Sequence, residues 1–271
     1  MKLTAINIYP LKSCHRVELN EALITPLGLA HDRHWMLVDD KHRFISARKY
    51  PQLLRLSVDI RSAGFVAAYK GLPGIYIRYP ENTAERYPVT IWKDEVAVLD
   101  AGDTAADWFS QVIGKSCRLV WSSTESARRL KPGNYPPPTM PAGERQITFT
   151  DGMPILLTNT ASLDELNSHL DETVSMHRFR ANIVVDGRQA WEEESWQRIR
   201  IGELELQATK TCVRCILTTA DPQTGVRDPQ REPLKTLSRI HCQKNRGAIF
   251  GMQFVALNSG TVKIGDHLKI E

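Results

Sequence analysis

Cys212 and Cys215 form the only close cysteine pair in the chain, in the stretch Thr211-Cys-Val-Arg-Cys215. A C-x-x-C spacing serves half of a zinc site, a thioredoxin-like dithiol, or one metal ligand beside a structural thiol. A closed zinc site needs four ligands, and the candidate second half, His241-Cys242, lacks the spacing of a finger or ribbon. A dithiol of the thioredoxin kind belongs at a helix start in a βαβ unit, whereas the β-branched run after Cys215 reads as strand through Thr219. Lys210 and Arg214 flank Cys212 and favour its thiolate, the form that binds a soft metal. An inert buried cysteine is the plain alternative, because free cysteine behaves as a small apolar residue. Spacing leaves these readings open.

The elements around the pair must come from a chain of 271 residues, 42% hydrophobic and 24% charged, long enough for one large domain or two modest ones. The formal charge of +4 and the absence of long like-charge runs argue against a nucleic-acid partner. The other cysteines, Cys14, Cys117 and Cys242, are scattered, which suits reduced thiols better than a disulfide framework. No apolar run approaches the roughly 18 residues of a membrane helix. Nothing before Tyr9 resembles a signal peptide, so a soluble, cytoplasmic protein without a membrane partner is expected.

Turn-bounded β-rich runs predict strands at Leu3–Tyr9, Arg33–Asp39, Leu53–Ile60, Gly74–Tyr79, Tyr87–Trp92 and Glu95–Leu99. The turn Asp39-Asp40-Lys41 leads back into Phe44 and Ile45 as a hairpin would. Trp108, Phe109, Val112 and Ile113 share a face of a helix over Asp103–Gly114 with an acidic start and a glycine stop. Five prolines between Glu125 and Arg145 predict a long loop without regular structure, facing an anionic ligand, a partner or solvent. Beyond Ile147 a helix follows Asn159 or Thr160 with Ser162-x-x-Glu165 as a capping box. Strands are expected at Asn182–Asp186, Glu203–Ala208, Cys215–Thr219, Met252–Leu257 and Thr261–Ile264, the last two joined through Asn258-Ser259-Gly260. The fold class is α+β, mostly β. No GxGxxG or P-loop is present, which removes support for nucleotide and nicotinamide chemistry.

Thr211-Cys-Val-Arg-Cys-Ile-Leu-Thr-Thr-Ala-Asp-Pro-Gln-Thr-Gly225 and Arg231-Glu-Pro-Leu-Lys-Thr-Leu237 resemble the signature of MOSC-domain proteins, the molybdenum cofactor sulfurase C-terminal domain family. Within it the order of motifs is similar to that of the mitochondrial amidoxime-reducing components and their bacterial counterparts. Tyr9-Pro-Leu-Lys-Ser13, Asp32-Arg-His-Trp35, Ser46-Ala-Arg48, Phe179-Arg-Ala-Asn182 and Gly260-Thr-Val-Lys-Ile-Gly-Asp266 carry that resemblance. It implies an N-terminal β-barrel-like module over 1–122 and a MOSC β-barrel domain with short helices over 123–271, of which 123–146 is the Pro-rich connection.

The resemblance also implies a molybdenum cofactor (Mo-molybdopterin) whose metal takes the first thiolate of the pair, Cys212. By the same resemblance Lys12, Ser13, Arg33, Arg180 and Asn182 line the cofactor, with Arg48 in a matching motif. Lysine and arginine suit its phosphate, arginine bidentately, while Ser and Asn can bond the pterin edge. Lys210, beside the cysteines, adds a cation, and Thr158-Asn159 and Thr218-Thr219 either donate to the cofactor or cap and pair locally. Asp151 matches an aspartate near the metal that could carry protons. The chain departs from many relatives at Gly152-Met153, where they have hydroxyl residues. The implied activity reduces small N-hydroxylated compounds to amines or amidines. No cysteine array for an iron–sulfur cluster is present, so electrons are expected from a separate ferredoxin or flavoprotein. The rival is a cofactor or sulfur carrier using a Cys212 persulfide. A pyridoxal phosphate protein is suggested only by shared barrel features, an analogy of fold.

Overall fold

The computed structural model describes residues 1–81, 86–123, 128–129 and 146–271. The fold is mostly β, with three α-helices among the described residues. Its largest sheet has nine strands, in the order Val17–Leu19, Leu3–Ile8, Ile183–Val185, Ile155–Asn159, Gly247–Ala256, Leu204–Val213, Arg198–Ile201 and Leu268–Ile270, with Cys242–Gln243 also pairing Gly247–Ala256. The first strand of the chain therefore lies among strands from its second half: Ile6 faces Ile183 in an antiparallel pair. Glu21–Thr25 likewise pairs Gly260–Lys263.

Two apolar cores support this arrangement. One gathers Ile6, Ile24, Leu157, Ile183, Leu206 and Phe254 around the large sheet. The other packs Leu37, Leu53, Phe65 and Leu119 against the helix Asp103–Ile113. That helix buries Ala105, Trp108, Phe109, Val112 and Ile113, which share one face at helical spacing. It stops at Gly114, whose left-handed backbone lets its N–H donate to the Ser110 carbonyl. The turn after Val38 also forms as expected, with the Asp39 carboxylate accepting from the Lys41 and Arg43 N–H groups.

Several local expectations are corrected. Leu53–Ile60 is not one strand: Pro51 starts a 3-10 helix over Pro51–Arg55, and the strand is Ser57–Arg61. Ile216–Thr219 is a 3-10 helix as well, because the Thr218 and Thr219 hydroxyls donate back to the carbonyls of Cys215 and Ile216. Asn159 caps the helix Thr160–Ser168 by accepting from the Ala161 N–H, so Ser162-x-x-Glu165 is no capping box. Ser162 lies within that helix and donates to Glu193. The two last strands do not pair with each other; Gly247–Ala256 pairs its neighbours in the large sheet and Gly260–Lys263 pairs Glu21–Thr25. The expected loop Glu125–Arg145 lies outside the described residues except at Arg128–Arg129, a short strand paired with Gln146–Ile147.

Candidate functional site

Side chains alternate across a strand, so residues two apart share a face. Leu156 stands opposite Gln253, and Gln253 opposite Lys210 on the next strand. This row, continued by Cys212, forms the floor of a cavity of about 280 Å³. The walls come from chain segments beside the strand ends: Lys12-Ser13 after the first strand, Arg33 before Trp35–Val38, Asp151 before Ile155–Asn159, and Arg180 and Asn182 before Ile183–Val185. Eight of the ten residues singled out by sequence meet here: Lys12, Ser13, Arg33, Asp151, Arg180, Asn182, Lys210 and Cys212.

Arg48 and Thr158 do not line the cavity. Arg48 stacks over the Trp92 ring, 4.4 Å from its centroid, and acts on the site through its charge on Asp151. Thr158 is fully buried in its strand, and its hydroxyl has no hydrogen-bond partner among the described residues. Its neighbour Asn159 is occupied in capping. Thr218 reaches the cavity wall, but its hydroxyl, like that of Thr219, is bonded locally.

The cavity is strongly cationic. Lys12, Arg33, Arg178, Arg180, Lys210, Arg214 and Arg246 line it, against one carboxylate, Asp151, among the described residues. Arg178 and Arg214 hold the walls together: Arg178 donates to the Thr219 carbonyl at 2.9 Å, and Arg214 to those of Phe179 and Phe250 at 3.0 and 2.7 Å. Arg33 donates to Asp32 Oδ2 at 2.5 Å and to Asn182 Oδ1 and the Arg180 carbonyl, each at 3.2 Å. Asn182 is bound on both sides, accepting also from the Leu156 N–H and donating to the Asn7 carbonyl, so its chief work is to hold the wall. Arg180 donates to the Cys14 carbonyl at 2.8 Å.

Burial disfavours the charges of Lys12 and Arg180 and pushes both groups below their ordinary values. Arg33 lowers each of them further. Such a site gains most from an anion. Ser13, Arg33 and Arg180 also adopt left-handed backbone, with φ of 76°, 51° and 55°, a conformation costing a non-glycine residue about 1–2 kcal/mol. Three such residues at one cavity indicate side-chain placement maintained against local preference.

The two thiols differ. Cys212 is the penultimate residue of the strand Leu204–Val213, where its register against Gly247–Ala256 slips, and it is only 9% exposed. Cys215 lines the same cavity but is exposed, just past the strand and ahead of the 3-10 helix. Reactive and metal-binding cysteines occupy partly exposed, electropositive surroundings, and buried ones are inert. The resemblance points to Cys212 as the metal ligand; the exposure of Cys215 at the cavity makes Cys215 the more accessible sulfur. The proposed second half of a zinc site is otherwise engaged, since His241 bonds Glu194 and stacks on Trp191.

Lys12 Nζ donates to the Phe149 carbonyl at 2.7 Å and to Asp151. Burial raises the Asp151 carboxyl, but Lys12, with Arg48 and Arg33, overcomes this and holds it down to about 2. Asp151 is therefore a carboxylate at neutral pH. Gly152 leaves room for the Gln253 amide, which accepts from the Met153 N–H; a Cβ there would come within 2.5 Å of that amide and make the Gln253 side chain shift. Because the folded carboxyl titrates below its ordinary 3.8, its stabilising contribution is complete above about pH 3.8 and is lost as pH falls through about 2. Thermal unfolding followed over that range should show Asp151→Asn losing less stability than the parent protein; parallel curves would show that the pair contributes nothing to acid sensitivity.

Tyr9, Asp32, Arg178 and Arg246 were missed as site residues. Tyr9 and Asp32 open the motifs Tyr9-Pro-Leu-Lys-Ser13 and Asp32-Arg-His-Trp35, which is the available signal; nothing in local spacing marks Arg178 or Arg246.

Compared with family models, residues 1–116 match the MOSC N-terminal beta barrel domain and residues 144–269 the MOSC domain. The mitochondrial amidoxime-reducing component 1 of Homo sapiens is 34% identical over 272 residues, covering 96% of this chain and 80% of that protein. That of Mus musculus is 32% identical over 276 residues, covering 96% and 79%. The molybdenum cofactor sulfurase of Homo sapiens is 31% identical over 243 residues, covering 83% of this chain and 27% of that protein.

Proposed function

The chain belongs to the MOSC family alongside the mitochondrial amidoxime-reducing components, and from that premise we propose that it binds a molybdenum–molybdopterin cofactor and reduces N-hydroxylated compounds, such as amidoximes, to amines or amidines. The observation that carries this reading is the cavity itself, where seven cationic side chains and two thiols surround one space. The donor set fits the group: soft sulfur for molybdenum, and guanidinium and ammonium groups for a phosphate. When bound, the cofactor supplies the two-electron chemistry by which the N-hydroxyl oxygen leaves as water.

The chain's own residues have narrower tasks. Arg33 and Arg180 bind the anionic end, and Lys210, whose ammonium has no hydrogen-bond or ion-pair partner among the described residues, adds a third cation. The metal-holding thiolate is assigned to Cys215 in place of Cys212 on grounds of access. Lys12 and Asp151 keep a proton donor, Nζ, and an acceptor, Oδ1, side by side at the cavity wall. Ser13 lies next to that pair on the wall. Electrons come from a separate ferredoxin or flavoprotein.

Protein made in a cofactor-competent host should contain molybdenum and extractable pterin near one per chain. It should also reduce an aromatic amidoxime to the amidine with an artificial electron donor. Cyanide-labile sulfur without molybdenum would instead support a sulfur carrier working through the exposed thiol.

A further inference from the structure

Tyr9 is buried, and two guanidinium groups lie over its ring: Arg33 Cζ is 4.3 Å and Arg180 Cζ 4.1 Å from the centroid. Like charges this close repel, and the electron-rich face of an aromatic ring is a surface on which both can rest in a desolvated place. Tyr9 is fixed at three points. Its backbone N–H donates to Asp32 Oδ1 at 2.7 Å, its backbone carbonyl accepts from the Arg33 N–H at 2.9 Å, and its ring hydroxyl donates to the Ala181 carbonyl at 3.4 Å. Burial pushes its phenol up despite the opposing Arg180 and Arg33 charges, so the ring stays neutral throughout the physiological range.

The two guanidiniums are unequally committed. Arg33 is bonded to Asp32, Asn182 and the Arg180 carbonyl, whereas Arg180 has one such bond among the described residues, to the Cys14 carbonyl. A guanidinium carries five N–H donors, so Arg180 retains most of its capacity for a ligand. We infer that Tyr9 is a positioning residue whose ring holds Arg33 and Arg180 together as one two-guanidinium clamp for a phosphate-type anion in the cavity. The identification of that anion with the cofactor's phosphate rests on the function proposed above; the clamp does not.

The test titrates inorganic pyrophosphate by calorimetry into the full chain made in a host that cannot synthesise the pterin, and measures pterin content in a competent host. Tyr9→Leu removes the ring on which both desolvated cations rest, so it should weaken pyrophosphate roughly tenfold or more and lower pterin content in parallel. Tyr9→Phe keeps the ring and should remain within about twofold of the parent, a rescue that loss of packing alone would not produce. Arg180→Lys keeps the charge but loses the planar stack, and should weaken binding as well, which keeps the test open if Tyr9→Leu does not fold. Unchanged affinity in Tyr9→Leu or, failing its folding, in Arg180→Lys overturns the clamp, as does a parent protein without affinity for pyrophosphate. A parent that binds pyrophosphate, responds to these variants and yet never carries pterin supports the clamp and sinks the proposed function.

Discussion

Cys215→Ala is expected to leave the protein folded and almost free of molybdenum, while Cys212→Ala keeps most of its metal. Loss of even an outer-shell partner costs about 10–100-fold in metal affinity, so loss of the ligand itself should cost at least about 100-fold. The two thiols lie three positions apart and line one cavity, but Cys215 is exposed beside Arg214 whereas Cys212 sits in the end of a sheet strand. A thiolate that must meet a bulky metal complex arriving from solution needs the first environment. Metal analysis by mass spectrometry, with pterin fluorescence on the same samples, separates the outcomes. Metal lost from Cys212→Ala and kept in Cys215→Ala would restore the assignment drawn from sequence; metal kept in both would remove thiolate coordination altogether.

Asp32→Ala should lower the unfolding temperature by about 6–20 °C. Asp32 is 2% exposed, and its two oxygens accept from the Arg33 guanidinium and the Tyr9 N–H. Removing one partner of a buried pair costs about 3–5 kcal/mol because the remaining charge is left unmatched. In a chain of this size each kcal/mol shifts the midpoint by about 2–4 °C. Calorimetry checks the figure. A drop of less than about 3 °C would mean that water or a relocated carboxylate compensates Arg33 without difficulty.

The elements legible in the sequence were those whose causes are local. The helix Asp103–Ile113 declared itself through one apolar face and a glycine stop, both of which act within a few residues. Ile216–Thr219 departs from the strand its β-branched composition predicts because the Thr218 and Thr219 hydroxyls bond their own backbone. Met252 to Ile264 departs from the expected hairpin because the partner of Gly260–Lys263 lies over two hundred residues away, at Glu21–Thr25, and no local turn reveals it. The convergence of Lys12, Arg33, Arg180 and Cys212 followed from motif resemblance, which carries long-range information that spacing lacks. Which of two neighbouring thiols is accessible, and what holds two arginines together, depend on burial and ring geometry and could be read only from the folded chain.

The pairing of Leu3–Ile8 with Ile183–Val185 has a temporal side. Val17–Leu19 follows at once on one side, but Ile6 meets Ile183 on the other, so the first strand leaves the ribosome with one of its two sheet partners still unsynthesised. At about 5–20 residues per second, the intervening chain takes roughly 10–35 s to appear. Through that interval Lys12 and Arg33 have no Arg180 or Cys215 beside them, and the edge of the first strand that will pair Ile183–Val185 is open to other chains. Loading of the proposed cofactor would therefore be a late event, following translation of the thiol segment, and nascent chains are best protected by whatever shields that open strand edge.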